Sequence, residues 1–278
     1  MFRINRLIYK HDGPKFLLDI FSVQITSMGL GWDTFYNISV IVVLANMLFG
    51  WTVLLGTPMY YGRLAGSRSR AMVNPKLAWF LFEAPNLIWV LYFVLFENAQ
   101  ITLGLLLFVV HYVNRDILYP LSLKTTTKVP LEIVLTCILY TTANGYLQCY
   151  GSQQPISPNR LLQLIGVALF AAGMWINIKA DKMLQEAKDA VSSMDSTGKK
   201  KYALVRGFLF DLISSPNYFG EIIEWFGYWM VCQHSTALLF AVATLDILTP
   251  GAIKRHQWNL KNIDGYPKDR KALIPFLL

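Results

Sequence analysis

Leu77-Ala-Trp-Phe-Leu-Phe-Glu-Ala-Pro-Asn-Leu-Ile-Trp-Val-Leu-Tyr-Phe-Val-Leu-Phe96 is a nearly unbroken apolar and aromatic run, interrupted by Glu83 and by Pro85. A helix needs ~20 such residues to cross the hydrocarbon core of a bilayer. Similar runs recur on either side, some of them shorter and dependent on their flanks: Phe35–Gly56, Ile101–Val113, Leu131–Gln148, Leu161–Ile178, Tyr218–Cys232 and Thr236–Leu248. The third and sixth of the seven each carry several polar groups. Composition points the same way. The chain is 54% hydrophobic and only 15% charged, with 14% aromatic residues that include 8 Trp and 14 Tyr, and aromatic rings of this kind settle at the two interfaces of a membrane. The expected fold is all-α and polytopic, with seven transmembrane helices enclosing a cofactor and substrate pocket. Residues 1–33 are expected to form an N-terminal interfacial segment, centred on Phe16–Leu30, and residues 34–278 the membrane domain.

The 25 Lys and Arg residues set the expected topology. Arg63, Arg68, Arg70 and Lys76 follow the first span; Arg115, Lys124 and Lys128 follow the third. The run from Lys179 to Arg206 follows the fifth, and the tail from Lys254 to Lys271 follows the seventh. The alternate connections hold only Arg160. Short cytoplasmic loops accumulate basic residues, so this alternation puts the four basic segments and the C-terminus in the cytosol. Arg3, Arg6, Lys10 and Lys15 pull the other way. The net charge of +8 comes from these loops and suits anionic lipid or an anionic soluble ligand rather than nucleic acid. The basic start lacks the apolar run and small-residue cleavage site of a removable signal peptide. Cys137, Cys149 and Cys232 are scattered, and no HExxH accompanies them, so neither a disulfide framework nor a metal is expected. No motif specifies an oligomeric state.

Ionisable groups inside spans are expensive and generally face a cavity or a partner. Glu83 lies in the second span beside Pro85, which loosens the backbone ladder. His111, Tyr112 and Arg115 gather at the end of the third, with His111 and Arg115 on one helical face. Asn144 and Gly145 interrupt the apolar run of the fourth. Asn177 and Asp181 share a face at the end of the fifth, and Asn217, Glu221 and Glu224 form a stripe on the sixth. Each has a plainer alternative: a neutral packed carboxyl, an interface anchor, a helix end in water. Their convergence toward the cytosolic ends favours one pocket with apolar walls and a few polar groups. Gly-x-Gly-x-x-Gly after a strand, Walker and Gly-x-Ser-x-Gly sequences are absent, so any nucleotide site is helical rather than Rossmann-type.

Ser215-Pro-Asn-Tyr-Phe-Gly-Glu-Ile-Ile-Glu-Trp-Phe-Gly227 and Tyr266-Pro-Lys-Asp-Arg-Lys-Ala-Leu-Ile-Pro-Phe276 resemble segments of the steroid 5α-reductases. Gly62-Arg63, Glu83-Ala-Pro85, His111-Tyr-Val-Asn-Arg115, Asn144-Gly-Tyr-Leu-Gln148 and Gly173-Met-Trp-Ile-Asn-Ile-Lys-Ala-Asp181 follow in that family's order. The resemblance implies a reductase of the endoplasmic reticulum membrane that takes hydride from NADPH and acts on a 3-oxo-Δ4 steroid. It places Glu83 and Tyr112 at the substrate ketone. It assigns Asn177, Asp181, Asn217, Glu221 and Glu224 to the dinucleotide, together with Arg115 and His256. Phe82 stands where many animal members have Gln, and Trp258-Asn259 where the family has two aromatics. The chemistry suits the residue types: hydride arriving at the β-carbon of an enone pushes negative charge onto the ketone oxygen, and donors aimed there stabilise the transition state. Tyr112 can donate its phenolic proton. Glu83 can do so only while protonated, the form that apolar surroundings favour. Related reductions of a trans-2-enoyl-CoA, polyprenol or polyprenal, and an S-adenosylmethionine-dependent membrane methyltransferase, are the alternatives.

Overall fold

A computed structural model describes residues 31–52, 71–124, 127–190 and 202–278. Phe16–Leu30, Gly62-Arg63 and part of the basic run before Arg206 lie outside them. The chain falls into two compact units, Met1–Ile38 and Ser39–Leu278, and the sites discussed below all belong to the second.

The described elements are α1 (Trp32–Thr52), β1 (Met72–Val73), α2 (Pro75–Phe96), α3 (Leu103–Tyr112), a π-helical stretch (Val113–Leu118), α4 (Tyr119–Ser122), β2 (Val129–Pro130), α5 (Leu131–Ser152), α6 (Arg160–Ala190), a 3₁₀ turn (Phe208–Asp211), α7 (Pro216–Cys232) and α8 (Ser235–Asn262). The short strands pair antiparallel, Met72 opposite Pro130 and Val73 opposite Val129, and so fix the starts of α2 and α5 side by side. Local chemistry defines the helix starts. Asn74 accepts from the Lys76 backbone N–H at 2.9 Å just before Pro75, whose missing N–H is harmless in a first turn. Thr102 accepts from the Leu105 N–H at 3.1 Å. At its other end α7 stops where Gln233 turns left-handed, with φ 57°.

Among the described residues, four helices are long and apolar enough to cross a membrane: α1, α2, α6 over Arg160–Lys188, and α8. Many of the large side chains on their outer faces are exposed, among them Leu48, Leu91, Leu95, Leu161 and Leu164, which suits lipid rather than water. Helices also occupy the other three expected spans, but length and composition alone do not make them crossings. The third is ten α-helical residues before it widens into the π-helical stretch, α7 has 17 residues, and α5 carries several buried polar side chains. Helix α5 continues through Asn144 and Gly145, which do not interrupt it. A Cβ on Gly145 would lie 2.9 Å from the Asn86 Cα, so the missing side chain lets α2 and α5 touch. Helix α8 likewise runs through Pro250 to Asn262, well beyond the expected end at Leu248.

Helices α6 and α7 meet closely. A Cβ on Gly220 would lie 2.6 Å from the Asn177 N, and one on Gly166 would lie 2.6 Å from the Gly227 O. Gly173 faces the α7 backbone at Gly220 and Glu224 in the same way. Small residues at such a seam let backbones approach within membranes. An aromatic core of Phe108, Tyr112, Trp225, Tyr228 and Phe240 joins α3, α7 and α8, with the Trp225 and Phe240 ring centroids 4.3 Å apart.

Candidate active site

The tight α6–α7 seam faces Asn177 and Asp181 toward Asn217 and Glu221. Asn177 Nδ2 donates to the Asn217 carbonyl at 3.0 Å and to Glu221 Oε2 at 3.1 Å. Asn217 Nδ2 donates to Asp181 Oδ1 at 2.9 Å. Arg115, carried inward on the π-helical stretch, bridges the two helices: Nη1 donates to Asp181 Oδ2 at 2.8 Å and Nη2 to Glu221 Oε2 at 3.1 Å. Its guanidinium also lies over Trp79 and Tyr119, 5.1 and 5.0 Å from the ring centroids. Buried charges persist when paired and hydrogen-bonded, and these contacts satisfy that condition. Arg255 extends the network, donating to Asn217 Oδ1 at 3.2 Å and to the Tyr218 hydroxyl at 2.7 Å. Four residues singled out from sequence, Asn177, Asp181, Asn217 and Glu221, thus form one cluster with Arg115.

Glu224 lies apart from it. The residue is fully buried and its Oε1 lies 2.7 Å from His111 Nδ1, while Oε2 has no partner among the described residues. His111 and Arg115 therefore both face α7, one toward Glu224 and the other toward Glu221. His256 belongs to a third group: its Nδ1 is 2.6 Å from Ser214 Oγ, which is 2.6 Å from the Tyr266 hydroxyl. Asn259 is buried and donates to that hydroxyl at 3.3 Å, so its amide serves the Tyr266 network.

Glu83 and Tyr112 differ from all of these. Among the described residues neither has a hydrogen-bond partner, although Glu83 lies within electrostatic reach of Tyr112, Arg115 and His111. Tyr112 is almost fully enclosed by Phe108, His111 and Trp225. The neighbouring Phe82 is buried against the apolar wall of Ala78, Val129 and Val134 and leaves the polar work on this turn to Glu83.

A family model described as 3-oxo-5-alpha-steroid 4-dehydrogenase matches residues 127–278, the stretch that holds Asn177, Asp181, α7 and the tail. This chain belongs to that family. Among curated relatives it is similar to the mouse 3-oxo-5-alpha-steroid 4-dehydrogenase 1, 36% identical over 78% of this chain and 87% of the relative. It is also 34% identical to the cotton (Gossypium hirsutum) steroid 5-alpha-reductase DET2, over 88% of this chain and 98% of the relative. The human 3-oxo-5-alpha-steroid 4-dehydrogenase 1 is 34% identical over 80% and 87% of the two chains. In this 3-oxo-5-alpha-steroid 4-dehydrogenase homologue, three further buried or half-buried polar residues, Ser214, Arg255 and Asp116, were not among the candidates from sequence. Ser214 precedes the Ser215–Gly227 segment by one position. Arg255 sits among tail residues read only as topological charge. Asp116, buried with an unpartnered Oδ1 among the described residues, faces inward through a π-helical turn that no α-periodic reading would anticipate.

Proposed function

We propose that this chain reduces the Δ4 double bond of a 3-oxo steroid with hydride from NADPH. Family membership carries the proposal together with one observation: Tyr112 is buried within electrostatic reach of Glu83, and neither side chain has a hydrogen-bond partner among the described residues. The Tyr112 hydroxyl and protonated Glu83 donate to the ketone oxygen. As hydride arrives at the β-carbon, the π electrons move to form the enolate, and both hydrogen bonds strengthen with the growing charge on oxygen. The α-carbon then takes a proton from water, directly or through a relay, completing the saturated ketone.

The bound dinucleotide supplies the hydride. Asn177, Asp181, Asn217, Glu221, Glu224, Arg115 and His256 are the residues assigned to hold it. The donor set fits a phosphate-bearing group. Ser215 Oγ and Arg270 Nε are buried with no partner among the described residues, and the pairing of Ile213 with Lys271 brings their segments together at the N-terminus of α7. Helix N-termini with adjoining cations are ready anion sites. The alternation of basic connections supports seven spans and a cytosolic C-terminus, and residence in the endoplasmic reticulum membrane follows from the family resemblance alone.

Membranes containing the protein, supplied with NADPH and separately with a 3-oxo-Δ4 steroid, a trans-2-enoyl-CoA and a polyprenal, test the reading. The 5α-reduced steroid is the expected product. Reduction of either other substrate alone would replace it.

A further inference from the structure

A second set of buried polar side chains lies toward the end of the bundle opposite the Arg115 cluster. Helices α6 and α7 run antiparallel, with Asp181 and Asn217 joined at one end and the Asn159 N–H bonded to Gln233 Oε1 at 3.0 Å at the other. Asn86 follows Glu83 by three residues on α2, so both lie on one side of the helix. Asn86 Oδ1 accepts from Asn144 Nδ2 at a long 3.5 Å. Gln148 Nε2 donates to Asn144 Oδ1 at 3.1 Å and to the Thr236 carbonyl at 3.0 Å. Thr236 Oγ1 lies 2.8 Å from His234 Nδ1. The row crosses three helices, and every member is buried.

Three atoms in this row have no partner among the described residues: Asn86 Nδ2, Gln148 Oε1 and His234 Nε2. Their chemistry is fixed by their neighbours. The Ala237 backbone N–H can only donate, and it reaches His234 Nδ1 at 3.0 Å, so Nδ1 accepts and the proton of a neutral ring sits on Nε2. Burial lowers the His234 pKa to about 4, which keeps the ring neutral near neutral pH. The row therefore holds an unused acceptor on Gln148 and an unused donor on His234. It is also held tightly: a Cβ on Gly151 would lie 2.7 Å from the His234 ring. Native interiors rarely leave such groups unpaired.

We propose that the Gln148–Thr236–His234 end of this row binds a hydroxyl group, with Gln148 Oε1 accepting and His234 Nε2 donating. The hydroxyl is either one remote from the ketone on a steroid substrate, an arm that rests on the proposed function, or that of a buried water.

His234→Asn separates the donor from the helix cap, because the Asn side chain still accepts from the Ala237 N–H but carries nothing at the Nε2 position. The probes are two 3-oxo-Δ4 steroids that differ only in a hydroxyl at the end of the ring system away from the ketone. Binding to the purified full chain in nanodiscs is read by ligand-induced thermal shift. NADPH-dependent turnover is measured in parallel, so a failure of the reductase reading appears as absent product while binding still reports on the site. If the substrate supplies the hydroxyl, the deoxy steroid binds wild type about tenfold more weakly, and His234→Asn no longer distinguishes the pair. If water supplies it, the variant leaves steroid discrimination unchanged, and a high-resolution structure of the wild type shows ordered density within hydrogen-bond distance of His234 Nε2 and Gln148 Oε1. Unchanged discrimination without such density overturns the proposal.

Discussion

Gly220→Ala tests whether the α6–α7 seam positions the polar cluster. The added methyl would sit 2.6 Å from the Asn177 N and 2.7 Å from the Gly173 O, both backbone atoms that cannot swing aside. Ordinary van der Waals contact begins near 3.4 Å, so the helices must part locally by roughly 0.8 Å. The Asn177–Asn217 bond, now 3.0 Å, and the Asn217–Asp181 bond, now 2.9 Å, would then stretch beyond useful geometry. Overpacking of this kind costs about 1–3 kcal/mol, and each lost bond about 1 kcal/mol more. Thermal unfolding in nanodiscs should fall to lower temperature, and NADPH affinity, read by fluorescence titration, should drop on the order of tenfold or more. Gly251→Ala is the control: its methyl would meet only the Tyr218 ring, at 3.5 Å. Wild-type unfolding temperature and cofactor affinity in Gly220→Ala would show that the α6–α7 seam does not position the cluster.

Asp181→Ala leaves Arg115 with Glu221 alone and Asn217 Nδ2 without its acceptor; initial-rate kinetics should show a larger rise in KM for NADPH than for the steroid. Acid should also weaken the α7–α8 connection. His234 is held near a pKa of about 4 against an ordinary 6.5, so the unfolded chain binds the proton first. The resulting stability is complete above pH ~6.5 and is lost as the pH falls toward 4. The loss amounts to about 3 kcal/mol at most, and chemical unfolding of wild type against His234→Asn across that window should show it only in the wild type.

A described helix overlaps each of the seven apolar segments, and four of these helices have the length and hydropathy that a bilayer crossing requires. The ends were less legible. The seventh span was expected to end at Leu248, yet a proline inside a helix forfeits only one backbone bond when packing holds the rest, and α8 continues through Pro250 to Asn262. Helix α6 continues past Ile178 to Ala190, and within that extension Asp181 is held by Arg115 and Asn217. The face shared by His111 and Arg115 followed from helical spacing. Their separate partners, Glu224 and Glu221, lie more than 100 residues away in sequence and follow only from the folded arrangement. The polar row ending at His234 was harder still. Its members stand on three helices, and a lone histidine before a helix reads as an ordinary cap.

Single-turnover hydride transfer to a 3-oxo-Δ4 steroid in Glu83→Ala and Tyr112→Phe, each preloaded with NADPH, tests the proposed contact with the ketone. If both side chains hold the ketone oxygen, each variant slows the step by on the order of 10²–10³-fold. Glu83→Gln, which keeps an amide donor, should fall between wild type and Glu83→Ala, and cofactor affinity should stay unchanged in all three. Folded Glu83→Ala and Tyr112→Phe proteins that transfer hydride at the wild-type rate would contradict it.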